Sequence, residues 1–245
     1  MLDLAHHLGE EQRDYAIIGE GNVSARLDET TFLIKASGSS LQTLRADQVA
    51  RVQLLPVVAA IECPTSAQDL DDEGVRQLLD SARADKEQPW PSVETFFHAL
   101  LYRLTGAAFI GHTHPVAVCS VLCSQHARLI ARHLMPDEIV VCGPESVFVP
   151  YTDPGLPLAR AIGEQVRAYQ ARWGEWPRTI YLENHGLIAL GASAKQVKNV
   201  TAMAVKHARV LVGALSCGGA RFLDEVASTR IHTRPDEEVR RNQFK

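Results

Sequence analysis

His112 and His114 stand two residues apart in AAFIGHTHP, and His185 stands in ENHG. Along an extended chain residues i and i+2 project to one face, so the first two imidazoles can reach one ion while Thr113 points away. A third ligand has to come from elsewhere in the fold. His185 offers itself at the end of another β run, beside the turn-forming Gly186. Three neutral imidazoles on a divalent ion leave one position open for water or substrate, which is the arrangement of catalytic rather than structural zinc. Taken singly, a histidine at a strand end more often only satisfies hydrogen bonds. His6, His7, His98, His126, His133, His207 and His232 are read that way. Cys119 and Cys123, four apart on an expected helix, could pair at a metal, but with Val118, Val121 and Leu122 around them packing is the better reading.

The elements that must carry these residues follow from periodicity and punctuation. A short helix is expected at residues 4 to 13. GEGNVSARL and TFLIKASG then read as a hairpin around the polar link Asp28, Glu29 and Thr30. Val49 to Val58 reads as a short-strand region, and Ser66 as the cap of a helix running to Ala84, with Leu70, Val75, Leu78 and Leu79 as its apolar stripe. Phe96, Phe97, Leu100, Leu101 and Leu104 fall at helical spacing, which puts Glu94 in the first turn of a helix from Val93 to Leu104. AAFIGHTHP reads as a buried strand passing into a helix at Pro115. EIVVCG and SVFVPY read as two strands, and Pro154-Gly155 leads into an amphipathic helix. TIYLENHG and LIALG form another hairpin, and a long helix runs from Ser193 to Leu215. The polar tail beyond it is expected to pack late or on a neighbour.

Composition bounds the function. The chain has 245 residues, 46% of them apolar and 22% charged, which fits one globular domain over residues 1–245. Its formal net charge is −4 and its basic residues are scattered, so the footprint of a nucleic-acid binder is missing. No apolar run is long enough for a membrane span, and the N-terminus lacks the pattern of a signal peptide. Five cysteines, an odd number and mostly within apolar segments, suit reduced core thiols. The expectation is a cytoplasmic enzyme acting on a small molecule.

GEGNVSARL at 19–27, KASGSSL at 35–41, PSVETFFHA at 91–99, GHTHP and ENHG together resemble, in order and spacing, the class II aldolase/adducin family. That family includes fuculose-1-phosphate and rhamnulose-1-phosphate aldolases and ribulose-5-phosphate 4-epimerase. The resemblance runs from about residue 4 to residue 215. The wording around GEGN, SGSSL and PSVET is most similar to the aldolase part of bifunctional rhamnulose-1-phosphate aldolase/dehydrogenases, although no dehydrogenase domain is expected to follow.

The resemblance implies an α/β fold: a three-layer α/β/α domain around a central, largely antiparallel sheet. It implies one divalent metal per subunit, Zn²⁺ with Mn²⁺ or Co²⁺ as alternatives, on His112, His114 and His185. Glu94 takes the place of the family's catalytic glutamate, which touches the metal at rest and moves off it when substrate binds. The family's phosphate loops fall on Gly21, Asn22, Ser37, Gly38 and Ser92, where glycine-turn N–H groups and a helix N-terminus suit an anion. Fuculose-type aldolases have two serines before the glutamate, whereas this chain has Ser92 and then Val93. Glu20 adds negative charge beside the loop, with Lys35 as a compensating cation. The neighbouring-subunit tyrosine of those enzymes has no clear match; His133 and Tyr151 fall nearest by spacing. His98 is a partner candidate for Glu94.

The expected reaction is retro-aldol cleavage of a ketose, a sugar 1-phosphate, through a metal-bound enediolate, with Glu94 moving the proton. Epimerisation and decarboxylation of a 3-oxo-acid sugar phosphate use the same chemistry, and Asp137 lies near the position of an epimerase aspartate. A non-enzymatic, adducin-like interaction module is the remaining alternative, disfavoured because all three histidines and Glu94 are present. By resemblance the chain forms a homo-oligomer, a tetramer, with a sugar or sugar phosphate as its small-molecule partner and neither nucleic acid nor membrane.

Overall fold

The computed structural model describes residues 1–63 and 70–244. In chain order its elements are α1 (Leu2–Leu8), β1 (Asn22–Arg26), β2 (Thr31–Lys35), β3 (Val49–Gln53), α2 (Leu54–Glu62), α3 (Asp72–Ala82) and α4 (Thr95–Thr105). There follow β4 (Phe109–Thr113), α5 (Val116–Leu122), α6 (Pro136–Cys142), β5 (Val147–Val149), α7 (Leu156–Trp173), β6 (Thr179–Leu182) and β7 (Gly186–Gly191). The C-terminal part is helical: α8 (Ala194–Ser216), α9 (Glu225–Thr233) and α10 (Pro235–Phe244).

The seven strands form one sheet in the order β3-β2-β1-β4-β7-β6-β5, antiparallel throughout except for the parallel β5–β6 pair. Helices cover both faces. Phe96, Phe97, Leu100 and Leu101 of α4 join Val57 and Ile61 of α2, Leu79 of α3 and Ile162 of α7 over one face. Leu4 and Leu8 of α1, Val118 of α5, and Val197, Val200 and Leu211 of α8 cover the other. Each fully buried aliphatic or aromatic side chain contributes roughly 1.5–3 kcal/mol, which fixes β4, in the middle of the order, between two packed layers. The expected three-layer α/β/α arrangement is therefore the observed one.

Some expectations are corrected. The strand starting at Val49 ends at Gln53, and Leu54 to Glu62 is helical, because Leu54, Val57, Val58 and Ile61 bury one face at helical spacing. EIVVCG is not a strand but most of α6. Pro136 starts that helix, and Glu138 reaches back to accept hydrogen bonds from the N–H of Leu134 (2.8 Å) and Met135 (3.4 Å). The first helix stops at Leu8, and a single tight turn, Glu11–Arg13, follows it. The polar tail, expected to pack late or on a neighbour, forms α9 and α10, which pack on α6 of the same chain. The cap placed at Ser66 lies outside the described residues; α3 is capped by Asp71, whose carboxylate accepts from Gly74 N–H at 2.8 Å. The hairpins and α8, capped by Ser193, stand where expected.

Candidate metal centre

β4 is the floor of the site. Within it Gly111 and Thr113 face α8, whereas His112 faces α4 and meets the ring of Phe97 edge-on at 5.4 Å. His114 leaves the end of the strand, and its N–H is bonded to the Tyr15 carbonyl at 2.8 Å. His185 arrives from the turn between β6 and β7, where Asn184 takes the left-handed backbone (φ 53°). Gly186 is required by proximity: a Cβ there would lie 2.5 Å from the Thr113 carbonyl oxygen and 2.7 Å from His114 Cδ2. Gly21 answers a double demand, with φ +62° and a would-be Cβ 2.5 Å from the His112 carbonyl oxygen.

The three imidazole rings converge, with centroids 4.8, 4.9 and 5.1 Å apart, and their ligating nitrogens all lie within 4.8 Å of one another. His112 Nδ1 donates to the Leu187 carbonyl at 3.0 Å, which leaves a bare Nε2 toward the cluster. His114 Nε2 lies 3.0 Å from it. Nitrogens bound tetrahedrally to zinc at about 2.0–2.1 Å stand roughly 3.3 Å apart, so the donor set fits a divalent ion. Burial and the adjacent imidazoles lower the His114 pKa to about 3, which keeps that ring a neutral donor. Glu20 Oε1, 3.9 Å from His114 Nδ1, stands behind the ring. The charge that Glu20 brings beside the anion loop thus also stands near His114.

Glu94, expected in the first turn of a helix from Val93, stands instead at the N-cap position just before α4, makes no side-chain capping bond, and closes the cluster from above. Its Oε1 lies 3.0 Å from His185 Nε2 and 3.3 Å from His112 Nε2. Burial raises its pKa, but His112 and His185 outweigh that and hold the carboxyl well below the usual range. Its Oε2 accepts from the side-chain amide of Asn22, and Asn22 Oδ1 faces His98 Nε2. An ion at the convergence would meet three imidazoles with a carboxylate beside them. On the other side a cleft of about 440 Å³ reaches His114 and His185, with Ala16, Ile17, Glu20, Val116 and Cys119 among its walls.

The chain matches the family model for the class II aldolase and adducin N-terminal domain over residues 1–212. It belongs to that family. A curated relative, an uncharacterised oxidoreductase of Bacillus subtilis (YuxG), is 28% identical over 199 residues, which are 78% of this chain and 26% of that protein. The chain thus spans about a quarter of the length of the curated relative it matches. The solved structure of YgbL from Klebsiella pneumoniae, described as a putative aldolase/epimerase/decarboxylase, is similar with a TM-score of 0.69 and 22% identity, over 94% of this chain and 95% of that one. An L-fuculose 1-phosphate aldolase structure gives a TM-score of 0.70 at 16% identity, covering 94% and 92%. At these identities the structures establish the class II aldolase fold.

The residues assigned to anion loops lie together beside Glu94. Ala36 bridges to Pro91, Ser37 N–H donates to the Trp90 carbonyl at 2.9 Å, and a Cβ at Gly19 would lie 3.5 Å from the Gly38 carbonyl oxygen. Ser92 Oγ accepts from Glu94 N–H at 3.3 Å. Ser37 and Gly38 are exposed; Gly21 and Asn22 are buried. Lys35 is buried, and its ammonium donates to the carbonyls of Ser39 (2.6 Å) and Gly19 (3.2 Å), tying two of these loops together. Burial lowers its pKa, partly offset by Glu94.

The remaining candidates do not join the cluster within one chain. His133 is buried beside Glu138 on α6, Tyr151 is exposed with its hydroxyl on Asp153, and Asp137 pairs with Arg240 of α10 at 3.0 Å. Cys119 and Cys123 are free thiols, and Cys119 Sγ faces the His185 carbonyl at 3.6 Å. Sequence reasoning missed Ser24 and Tyr102, which extend the His98 contact. Their signal was present: Asn22 and Ser24 alternate on β1, while Glu94, His98 and Tyr102 recur every four residues on α4.

Proposed function

We propose that this chain is a zinc-dependent aldehyde-lyase that cleaves a ketose phosphate by retro-aldol chemistry. The observation that supports it most is the convergence of His112, His114 and His185 with Glu94 Oε1 within 3.0–3.3 Å of two of the rings. His112, His114 and His185 would hold the ion. When bound, the metal supplies a Lewis acid for the negative charge that develops on substrate oxygens as the C–C bond breaks. Glu94, ionised and directed by Asn22, would take up the proton that the substrate hydroxyl loses as the C–C bond breaks and return it to the carbon that receives the bond's electron pair. The exposed turn at Ser37 and Gly38, with Ser92, offers the Gly38 N–H and the Ser37 and Ser92 hydroxyls to a phosphate, and the cleft beside His114 leaves room on the other side for the released aldehyde.

The test is a panel of ketose 1-phosphates, pentulose 5-phosphates and 3-oxo-acid sugar phosphates, run with Zn²⁺-, Mn²⁺- and Co²⁺-loaded protein. Aldehyde release from a ketose 1-phosphate, abolished by chelator, is the expected result. Glu94→Gln should keep its metal and lose roughly 10²–10⁴-fold in rate. Decarboxylation alone would overturn the retro-aldol assignment, and metal-independent turnover would overturn the metal role.

A further inference from the structure

Behind Glu94 a line of buried polar groups runs the length of one helix–strand contact. Asn22 and Ser24 project from β1 toward α4, and Glu94, His98 and Tyr102 project from α4 toward β1. Two residues of strand rise about 6.8 Å and four of helix about 6 Å, so the two series stay in step. Asn22, Ser24, His98 and Tyr102 are each no more than 1% exposed. Water cannot substitute for a missing partner there, so every donor and acceptor has to be matched within the line.

Matching admits one direction. The Tyr102 hydroxyl lies 2.6 Å from Ser24 Oγ, and Ser24 Oγ lies 2.7 Å from His98 Nδ1. Tyr102 donates to Ser24, Ser24 donates to His98 Nδ1, and His98 Nε2–H donates to Asn22 Oδ1. Asn22 Nδ2–H then donates to Glu94 Oε2. Reversing the line would set Asn22 Oδ1 against a carboxylate oxygen, acceptor against acceptor. It would also leave the Tyr102 hydrogen without an acceptor among the described residues.

We propose that His98, Ser24 and Tyr102 are positioning residues that lock the Asn22 side chain with its NH₂ toward Glu94, so that Glu94 presents Oε1 to the metal-site histidines in one orientation. The proposal rests on the reading of Glu94 as the proton carrier. It gives Asn22 a task beside the anion binding that the family resemblance implies, since its amide keeps a second N–H besides the one on Glu94. His98 stacks on Phe97 at 4.7 Å, and Phe97 meets His112 edge-on, so the rings on either side of Glu94 are braced together.

The experiment is long-range proton–nitrogen NMR on zinc-loaded protein labelled at the histidine ring nitrogens, read beside cleavage rates. The His98 signals are assigned by their loss in His98→Gln and, independently, by the displaced Nδ1 resonance in Ser24→Ala. The expected result is a neutral His98 protonated at Nε2. Protonation at Nδ1, or at both nitrogens, overturns the proposal. His98→Leu should keep its zinc and lose roughly 10–100-fold in rate. His98→Gln, which can still donate to Asn22, should recover most of that loss. Equal rates for the two variants also overturn it. Absence of aldol cleavage in the wild type would refute the lyase reading, while the tautomer would still decide the orientation of Asn22.

Discussion

The proposed metal site can be tested without any substrate, by stability. An ion that binds only the folded chain stabilises it by RT ln(1 + [L]/Kd), about 2.7 kcal/mol at a hundredfold excess over Kd. For a chain of this size that is a rise in Tm of roughly 5–11 °C. His185→Ala removes one of three converging nitrogens while leaving His112 on β4 and His114 just beyond its end in place. If affinity falls about a hundredfold, the same zinc concentration sits at Kd and stabilises by only about 0.4 kcal/mol, or roughly 1–2 °C. The metal-free variant should itself melt within about 2–4 °C of the metal-free wild type, since the side chain lies in a turn and gives up one contact with Glu94. Calorimetry of chelator-stripped protein in a zinc buffer, with and without metal, separates the two effects. His126→Ala, at an exposed histidine outside the cluster, serves as the control. A wild type indifferent to zinc, or a His185→Ala protein that keeps the full rise, would refute the assignment of these nitrogens.

Other perturbations follow from the same geometry. Glu138, buried beneath α8, is raised by burial but pulled down to about 2 by His133 and His207. Because the folded pKa is depressed, its contribution is complete above about pH 4.5 and is lost as pH falls toward 2, at most about 3 kcal/mol. Urea unfolding across that window should show the loss, and Glu138→Gln should flatten it. Gly21→Ala forces a Cβ to within 2.5 Å of the His112 carbonyl at φ +62°, and should cost at least about 2 kcal/mol in chemical denaturation while weakening zinc binding. Ile18, 86% exposed, holds a β-branched side chain at φ 53°. Ile18→Asn should raise stability by about 0.5–1 kcal/mol, seen as a higher denaturant midpoint.

The legible parts of the fold were those whose pattern and packing agree. Alternation in NVSAR and TFLIK and the polar link between them specified a hairpin, and the Ser193 cap with Val197, Val200, Ala204 and Leu211 specified α8. The misread segments were short apolar runs. LLPVVAAI and EIVVC carry no period long enough to separate strand from buried helix, and β-branched residues bias the reading toward strand. What decides them is tertiary: burial of Leu54, Val57, Val58 and Ile61 under the sheet, and the loop N–H groups that Glu138 gathers in front of α6. Neither cause can be read from the segment itself. The tail's helices were hidden for a related reason, since α9 is polar along most of its length and is held through contacts with α6.

At the site, the residues themselves were easier to find than their partners. An HxH at a strand end narrows the geometry because extended chain sends residues two apart to one side; here β4 carries His112, His114 follows just past its end, and the rings lie 4.8 Å apart. Asn22 shows where this stops. Its place next to Gly21 marks it as part of a turn suited to anions, and nothing local to GEGN reveals that the side chain is directed across to α4. Its direction is set by register: Asn22 pairs with His112 across β1 and β4, so the strand that delivers the histidine also turns the amide toward Glu94. The same register then places Ser24 beside Ile110 and under the second turn of α4, where His98 and Tyr102 reach it. A β1 shifted by one residue would turn Asn22 and Ser24 toward α8 and bring Val23 under Glu94. One strand pairing therefore fixes both the candidate metal ligand and the orientation of the candidate proton carrier, which is why motifs scattered from residue 19 to residue 185 can describe a single site.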